Sequence, residues 1–323
     1  MSTIYEVAAR AGVSASTVSR VLSGRNRVSP ENSRLVRQAA AELSFTPNRT
    51  ARSLRRKNSE LIALVIPDIE NPFFTAMACG VEDVARAAGY SVVLCNTDED
   101  RAKEAHYLQI AVSESMSGVI IATAAHHSDL AVLFPHGRPI VAVDQNIYSN
   151  DVDSVMVDNR AGSYSATMAL LQQGFKRIAC ITGPAGVDNA HQRGDCWQQA
   201  MDHSGEMADP KLYFRNANYR AHGGRLAMSD LLEIDEPSDA VFIGNNMMAV
   251  GALQMLNVRG LVPPHFGVAT FGALPFSIFE PAAMTVVDLS AREIGATATK
   301  MLLDRINRDS GYPFSCRNVG GVL

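Results

Sequence analysis

Short apolar runs of strand length recur through most of this chain, most of them separated by stretches with helical periodicity. The first, Leu61–Ile66, reads LIALVI and holds no polar residue. A half-exposed strand would alternate polar and apolar residues. An unbroken run is what a parallel strand buried on both faces requires. Similar runs stand at 91–94, 118–122, 139–143, 177–182, 240–244 and 268–271, and helical stretches such as 74–88 and 161–173 separate most of them. Parallel neighbours need long crossovers, so the alternation restricts this region to a doubly wound α/β architecture. It spans about 265 residues, which suits two lobes better than one core. No short internal repeat or low-complexity tract interrupts it.

The first 57 residues are built differently. They hold eleven basic side chains against three acidic ones, a charge of +8 within a chain whose total is −4, so the remainder carries −12. The overall pI of about 6.1 conceals this split. A basic head on an acidic body is the asymmetry expected when one part meets phosphate. Thr3 and Glu6 form a capping box, which predicts a helix from Ile4 with Val7, Ala8 and Ala11 on its inner face. Gly12 supplies a sharp turn, and Ser14 caps a second helix reaching about Leu22. Ser23 and Gly24 break it, and Ser29 with Pro30 starts a third. The exposed face of the second helix offers Ala15, Ser16, Thr17, Ser19 and Arg20. Small and hydroxylated residues let a helix lie close in a major groove, and an arginine reads a guanine edge. A plain three-helix domain is the alternative.

The run from Val7 to Leu22 (VAARAGVSASTVSRVL) resembles the helix-turn-helix of the lactose/galactose repressor (LacI/GalR) family, and the run from Phe45 to Leu54 (FTPNRTARSL) resembles that family's hinge. The likeness is long, gap-free and specific. It implies an α plus α/β chain: a three-helix DNA-binding head over 1–45, a hinge over 46–58, and an effector-binding and dimerisation domain over 59–323. That last part is expected to have a periplasmic-binding-protein-like fold with two lobes. The first lobe is placed at about 59–158 plus 289–312, and the second at about 159–288 plus the C-terminal end. The crossings between them are placed near Asp158, near Leu289 and near the C-terminus. By the same resemblance Ala15, Ser16 and Arg20 read bases. The segment from Asn48 through Ala51 and Leu54 to Arg55 forms a short helix only on operator DNA, with Leu54 wedged into the minor groove. Two turns of helix are marginal alone in water, which agrees with ordering on binding, and an apolar wedge is a known way to kink a duplex.

Function in the body is expected at the carboxyl ends of the strands. Asn71 precedes Pro72, and the resemblance implies that it hydrogen-bonds a ligand while Phe73 and Phe74 stack on a ring; core packing is the alternative for both aromatics. Asp144 matches a recurrent family aspartate, Arg193 the effector-gripping arginine, and Tyr219 an aromatic of the cleft. Three positions depart from the pattern. Asn246 replaces a ligand-binding aspartate, Leu289 a frequent glutamine, and Gly272-Ala273 an acidic pair. A pocket that keeps its arginine while losing carboxylates favours an anionic effector.

The remaining features exclude other classes. Five scattered cysteines show no metal or redox spacing, which suits reduced thiols in a cytoplasm. His126-His127 lacks further ligands, so no metal and no cofactor is expected. There is no phosphate-binding loop or nucleophile motif, which disfavours a nucleotide-using enzyme. Glu6 and Arg10 interrupt any export signal, and no apolar run approaches the roughly 18 residues of a membrane span. An exported sugar-binding transport protein would show the reverse pattern. The expected protein is a homodimeric transcriptional regulator, with a tetramer left open, and most simply a repressor. Its partners are near-palindromic double-stranded operator DNA and a small effector, a sugar, sugar phosphate or sugar acid. It is expected to have no enzymatic activity.

Overall fold

The computed structural model describes residues 2–22, 28–45, 59–123, 130–145, 152–206, 209–261, 263–274, 283–307 and 314–321. The chain divides into two compact units, Met1–Ser59 and Glu60–Leu323.

The first unit contains α1 (Ile4–Ala11), α2 (Ala15–Leu22) and α3 (Pro30–Glu42). The Thr3 hydroxyl accepts the Glu6 amide at 3.3 Å and the Glu6 carboxylate accepts the Thr3 amide at 3.1 Å, the reciprocal cap the sequence predicts. Gly12 ends α1 in the left-handed region at φ 66°. The Ser14 hydroxyl accepts the Thr17 amide at 3.2 Å, and Ser29 accepts that of Asn32 at 3.3 Å. Val7, Val18 and Val36, one from each helix, are fully buried against each other's elements and form the centre of a small core.

The second unit holds two parallel sheets. Strands β1 (Leu61–Ile66), β2 (Ser91–Asn96), β3 (Gly118–Ile121), β4 (Ile140–Val143), β5 (Asp153–Met156) and β11 (Cys316–Asn318) make the first, in the order β11-β5-β4-β3-β1-β2. Strands β6 (Ile178–Thr182), β7 (Phe214–Asn216), β8 (Ala240–Ile243), β9 (Gly267–Phe271) and β10 (Thr285–Val287) make the second, in the order β10-β9-β8-β6-β7. Leu61 pairs with Ser91 and Ile62 with Gly118, so the LIALVI run lies between two neighbours, with Ile62 to Ile66 fully buried.

Among the described residues, seven α-helices cover these sheets: α4 (Pro72–Ala87), α5 (Arg101–Ser113), α6 (Asn159–Gln172), α7 (Asp188–Ser204), α8 (Ala221–Leu232), α9 (Asn246–Val258) and α10 (Ala291–Asn307). Two of their crossings depend on glycine. A β-carbon on Gly80 of α4 would stand 2.0 Å from the Arg292 carbonyl of α10, and one on Gly251 of α9 would stand 1.7 Å from the Ala221 carbonyl of α8. The helix backbones approach so closely that no side chain fits between them.

The chain leaves the first sheet after β5, where the Asp158 side chain caps α6, and returns after β10 to pack α10 against β3, β4 and β5. The two passages and the chain end meet: Val319 donates its amide to Met156 at 2.8 Å, and Gly321 donates to Asp288 at 2.7 Å. The family resemblance implies a C-terminal end in the second lobe. The structure corrects this, because Cys316, Arg317 and Asn318 register in parallel with Ser154, Val155 and Met156 of the first sheet. That edge is fixed by Asp153, whose carboxylate accepts Arg305 Nε at 2.7 Å, Arg305 Nη2 at 3.0 Å and the Ser315 amide at 2.8 Å. Strands β5, β7, β10 and β11 are three or four residues long and have no apolar run to announce them. Among the described residues, no helix is long and apolar enough to cross a membrane.

Candidate functional site

In a parallel sheet the loops after each strand gather at one end, and the two sheets here turn those ends toward a shared cleft. The cleft encloses a cavity of about 90 Å³, room for several waters or a small polar ligand on the scale where one water takes about 10–15 Å³. Asp68, Asn71 and Phe73 reach it from the segment after β1, Glu99 from that after β2, and Asp144 and Gln145 from that after β4. The second lobe contributes Asn189 and Arg193 on α7, Tyr219 after β7, and Asn245 and Asn246 at the start of α9. All seven effector positions expected from the sequence, namely Asn71, Phe73, Phe74, Asp144, Arg193, Tyr219 and Asn246, line this one cavity.

Arg193 is 4% exposed and almost wholly engaged by the protein. Its Nε donates to Asn159 Oδ1 at 2.8 Å and its Nη1 to the Gly244 carbonyl at 2.6 Å. Its Nη2 lies 3.9 Å from Asp144 Oδ1, and the guanidinium carbon sits 4.1 Å above the Phe271 ring. Burial lowers the Arg193 pKa, and the same burial raises that of Asp144, partly opposed by the arginine beside it. Asp144 also accepts Asn189 Nδ2 at 3.3 Å, and Tyr219 donates its hydroxyl to Asn189 Oδ1. Burial pushes the Tyr219 hydroxyl far above the usual phenol range, so it stays a donor. Asp144 and Tyr219 both hold left-handed backbone, at φ 64° and 60°, a conformation that non-glycine residues adopt at a cost and that clusters at binding sites. Tyr219 owes its position to Gly183, where a β-carbon would stand 2.0 Å from the tyrosine ring.

Asn246 does something the sequence does not announce. Its Nδ2 donates 3.2 Å across the cleft to Asn71 Oδ1, which also accepts the Phe73 amide at 3.0 Å and so caps α4. This amide pair is a bridge between the lobes. Phe74 is 6% exposed and meets Phe73 edge-on at 5.0 Å between ring centres, so it serves the core as well as the wall.

The expectation of a wall poor in carboxylates is corrected. Asp68, Glu99 and Asp144 all face the cavity, whereas Arg193 is the one cation among its described lining residues. Burial raises the Glu99 carboxyl, and Arg220 nearby opposes the shift. Sequence reasoning does not single out Asp68, Glu99, Gln145, Asn189 and Asn245, each in a loop or at a helix start with no motif of its own, or Phe271, which closes the apolar run of β9. The strand-end rule was the available signal. Gln145 stands out, since its Oε1 is buried without a hydrogen-bond partner.

On the head, Ser16 and Arg20 are exposed on α2, while Ala15 and Thr17 are half-buried and Ala15 packs against the small core. Ser16 and Thr17 hydroxyls each lie 2.9 Å from that of Ser14. Asn48, Ala51, Leu54, Arg55 and His126-His127 lie outside the described residues.

A helix-turn-helix head joined to a two-lobed, sugar-binding type of α/β domain defines a class of bacterial transcriptional regulators, and sequence comparison agrees. Residues 3–48 match the family of bacterial regulatory proteins of the lacI type, and residues 59–316 match the periplasmic binding proteins and sugar-binding domain of the LacI family. The chain belongs to the LacI family and is a DNA-binding transcriptional regulator. It is 36% identical to the ribose operon repressor of Halalkalibacterium halodurans over 313 residues, 95% of this chain and 91% of that one. The fold superimposes on the lac repressor dimer bound to operator with a TM-score of 0.84 at 24% identity, covering 99% of this chain and 97% of that one. A LacI-family regulator from Enterococcus faecium with bound ribose gives a TM-score of 0.72 at 27% identity, over 80% of this chain and 94% of that one.

Proposed function

We propose that this regulator is a repressor whose effector is a neutral sugar of single-ring size, of which ribose is the first candidate. The observation that carries the reading is the charge state of the wall. The Arg193 charge is matched by Asp144 and most of its donors are spent on Asn159 and Gly244, so little is left for an anion. The wall instead presents acceptors, the carboxylates of Asp68 and Glu99 and the buried Gln145 Oε1, which suit the hydroxyls of a sugar. The ribose repressor of H. halodurans and the ribose-bound regulator of E. faecium point the same way. Phe73 supplies an apolar face for the ring, and Tyr219, Asn189 and Asn246 supply further hydrogen bonds.

Ser16, Thr17 and Arg20 read the operator from α2, with Ala15 at close range, and Asn48, Ala51, Leu54 and Arg55 engage the minor groove at the centre. Two heads are required for a near-palindromic site, so the working form is a homodimer, acting on DNA in the cytoplasm without catalysing a reaction. Calorimetric titration of the full chain with D-ribose, ribose 5-phosphate and ribonate tests the effector class. Heat from the free sugar alone supports the reading. Binding of the phosphate or the acid in its place overturns it.

A further inference from the structure

The cleft carries an ion-pair bridge that none of the binding contacts explains. Arg220 belongs to the second lobe, immediately before α8, and both of its carboxylate partners belong to the first. Its Nη1 lies 3.2 Å from Asp68 Oδ2, and its Nη2 donates to Asp98 Oδ1 at 2.8 Å. The side chain plays no part in capping α8. Asp68 and Glu99 face the cavity, and Tyr219, the residue before the arginine, does so too, whereas Arg220 and Asp98 are not part of the wall. The bridge therefore spans the mouth, one layer outside the ligand space.

The loop that presents Asp98 is arranged for this contact. Asp98 and Glu99 hold consecutive left-handed backbone at φ 54° and 60°, and Lys103 lies 3.7 Å from Asp98 on its other side. Two successive non-glycine residues in that region persist only where surrounding contacts hold them.

We propose that Arg220 is a specificity-determining residue, forming with Asp68 and Asp98 an ionic latch across the mouth of the cleft that holds the lobes together without effector and admits only a ligand small enough to fit beneath it. The size limit rests on the sugar-binding reading above; the latch itself does not. It favours the closed arrangement before any ligand arrives, and entry requires both ion pairs to part. Exposed pairs are weakened by salt, so the latch loosens as ionic strength rises.

Hydrogen–deuterium exchange of the effector-free full chain tests this directly, with Arg220→Ala, Arg220→Lys and Asp98→Asn beside the wild type. Asp98 is exposed and off the cavity wall, so Asp98→Asn removes one of the latch's two ion pairs without touching the binding contacts. Exchange at the Glu70 and Phe73 amides of one wall and the Met247 and Met248 amides of the other is expected to rise about two- to five-fold in Arg220→Ala and Asp98→Asn. Arg220→Lys should fall between, and high salt should reproduce the effect in the wild type. Unchanged exchange on both walls, or an increase confined to α8 in Arg220→Ala, overturns the latch. With D-ribose as probe, opening the latch should speed association and dissociation together, whereas unaltered rates count against it. If D-ribose does not bind at all, the sugar reading fails and the exchange result still decides the latch.

Discussion

Arg193 and Asp144 share one buried corner, and each stabilises the charge of the other while burial works against both. The Asp144 carboxyl is held above its unfolded value, so the folded chain binds that proton more tightly than the unfolded chain. Its contribution to stability is present at low pH and is lost as pH rises through the folded pKa. Asp144→Asn is therefore expected to remove that loss, giving a flatter curve of melting temperature against pH on the acid side. Superimposable curves for the two proteins would contradict this. For the effector, Arg193→Ala removes the guanidinium that holds Asn159, the Gly244 carbonyl and Asp144 in place, so binding should weaken through loss of that scaffold while operator affinity of the effector-free protein stays nearly unchanged. Titration calorimetry and an operator gel-shift assay read the two effects separately. On the head, Arg20→Ala should cost about 1–3 kcal/mol on the cognate site and relax preference at one base pair per half-site. Uniform weakening on all sequences would instead make Arg20 a phosphate contact.

Among the elements, the glycine crossings and the last strand decide how the lobes are assembled. Gly251→Ala must push α8 and α9 apart, because the obstacle is the Ala221 backbone carbonyl and no side chain can give way. A loss of about 1–3 kcal/mol, or more, is expected in urea denaturation, with reduced expression as the visible sign. The edge made by β5 and β11 depends on Asp153, 2% exposed and bonded twice to Arg305. Asp153→Ala removes the buried carboxylate that joins Arg305 to the Ser315 amide and should destabilise the second unit by about 3–5 kcal/mol. A change below about 1 kcal/mol would show that the surrounding packing, not the ion pair, holds that edge. The C-terminal strand illustrates why such elements escape sequence reading. Cys316–Asn318 has no apolar run, all three residues are exposed, and its identity as a strand comes entirely from the Ser154–Met156 backbone beside it.

For the whole molecule, the +8 head and the −12 remainder make DNA binding an electrostatic event confined to the N-terminal part of the sequence. If a dimer neutralises about six to ten phosphates, affinity should fall about 10³- to 10⁵-fold between 50 and 200 mM salt. Fluorescence anisotropy on a labelled operator measures this, and a salt-independent affinity would be incompatible with the proposal. Much of this molecule follows from the linear chain. The helices of the head are written in Thr3, Glu6, Gly12, Ser14 and Pro30, and the central strands of the two sheets in runs such as LIALVI, because caps, turns and periodicity act between near neighbours. The family likeness added the site residues. The chemical character of the cavity was not legible in the same way. From one residue at a time, Asn246, Leu289 and Gly272-Ala273 read as polar groups thinned around a retained arginine and hence as an anion site. Folding brings Asp68 and Glu99 onto the same wall from other strand ends, places Asp144 against Arg193, and turns Asn246 into a bridge to Asn71, 175 residues away. Net charge in a pocket is a sum over groups that are distant in sequence and close in space, and Coulomb interactions depend only on the second distance. The chain order determines the strands and helices; which charges meet, and so which ligand is welcome, is decided by the fold that stacks their ends together.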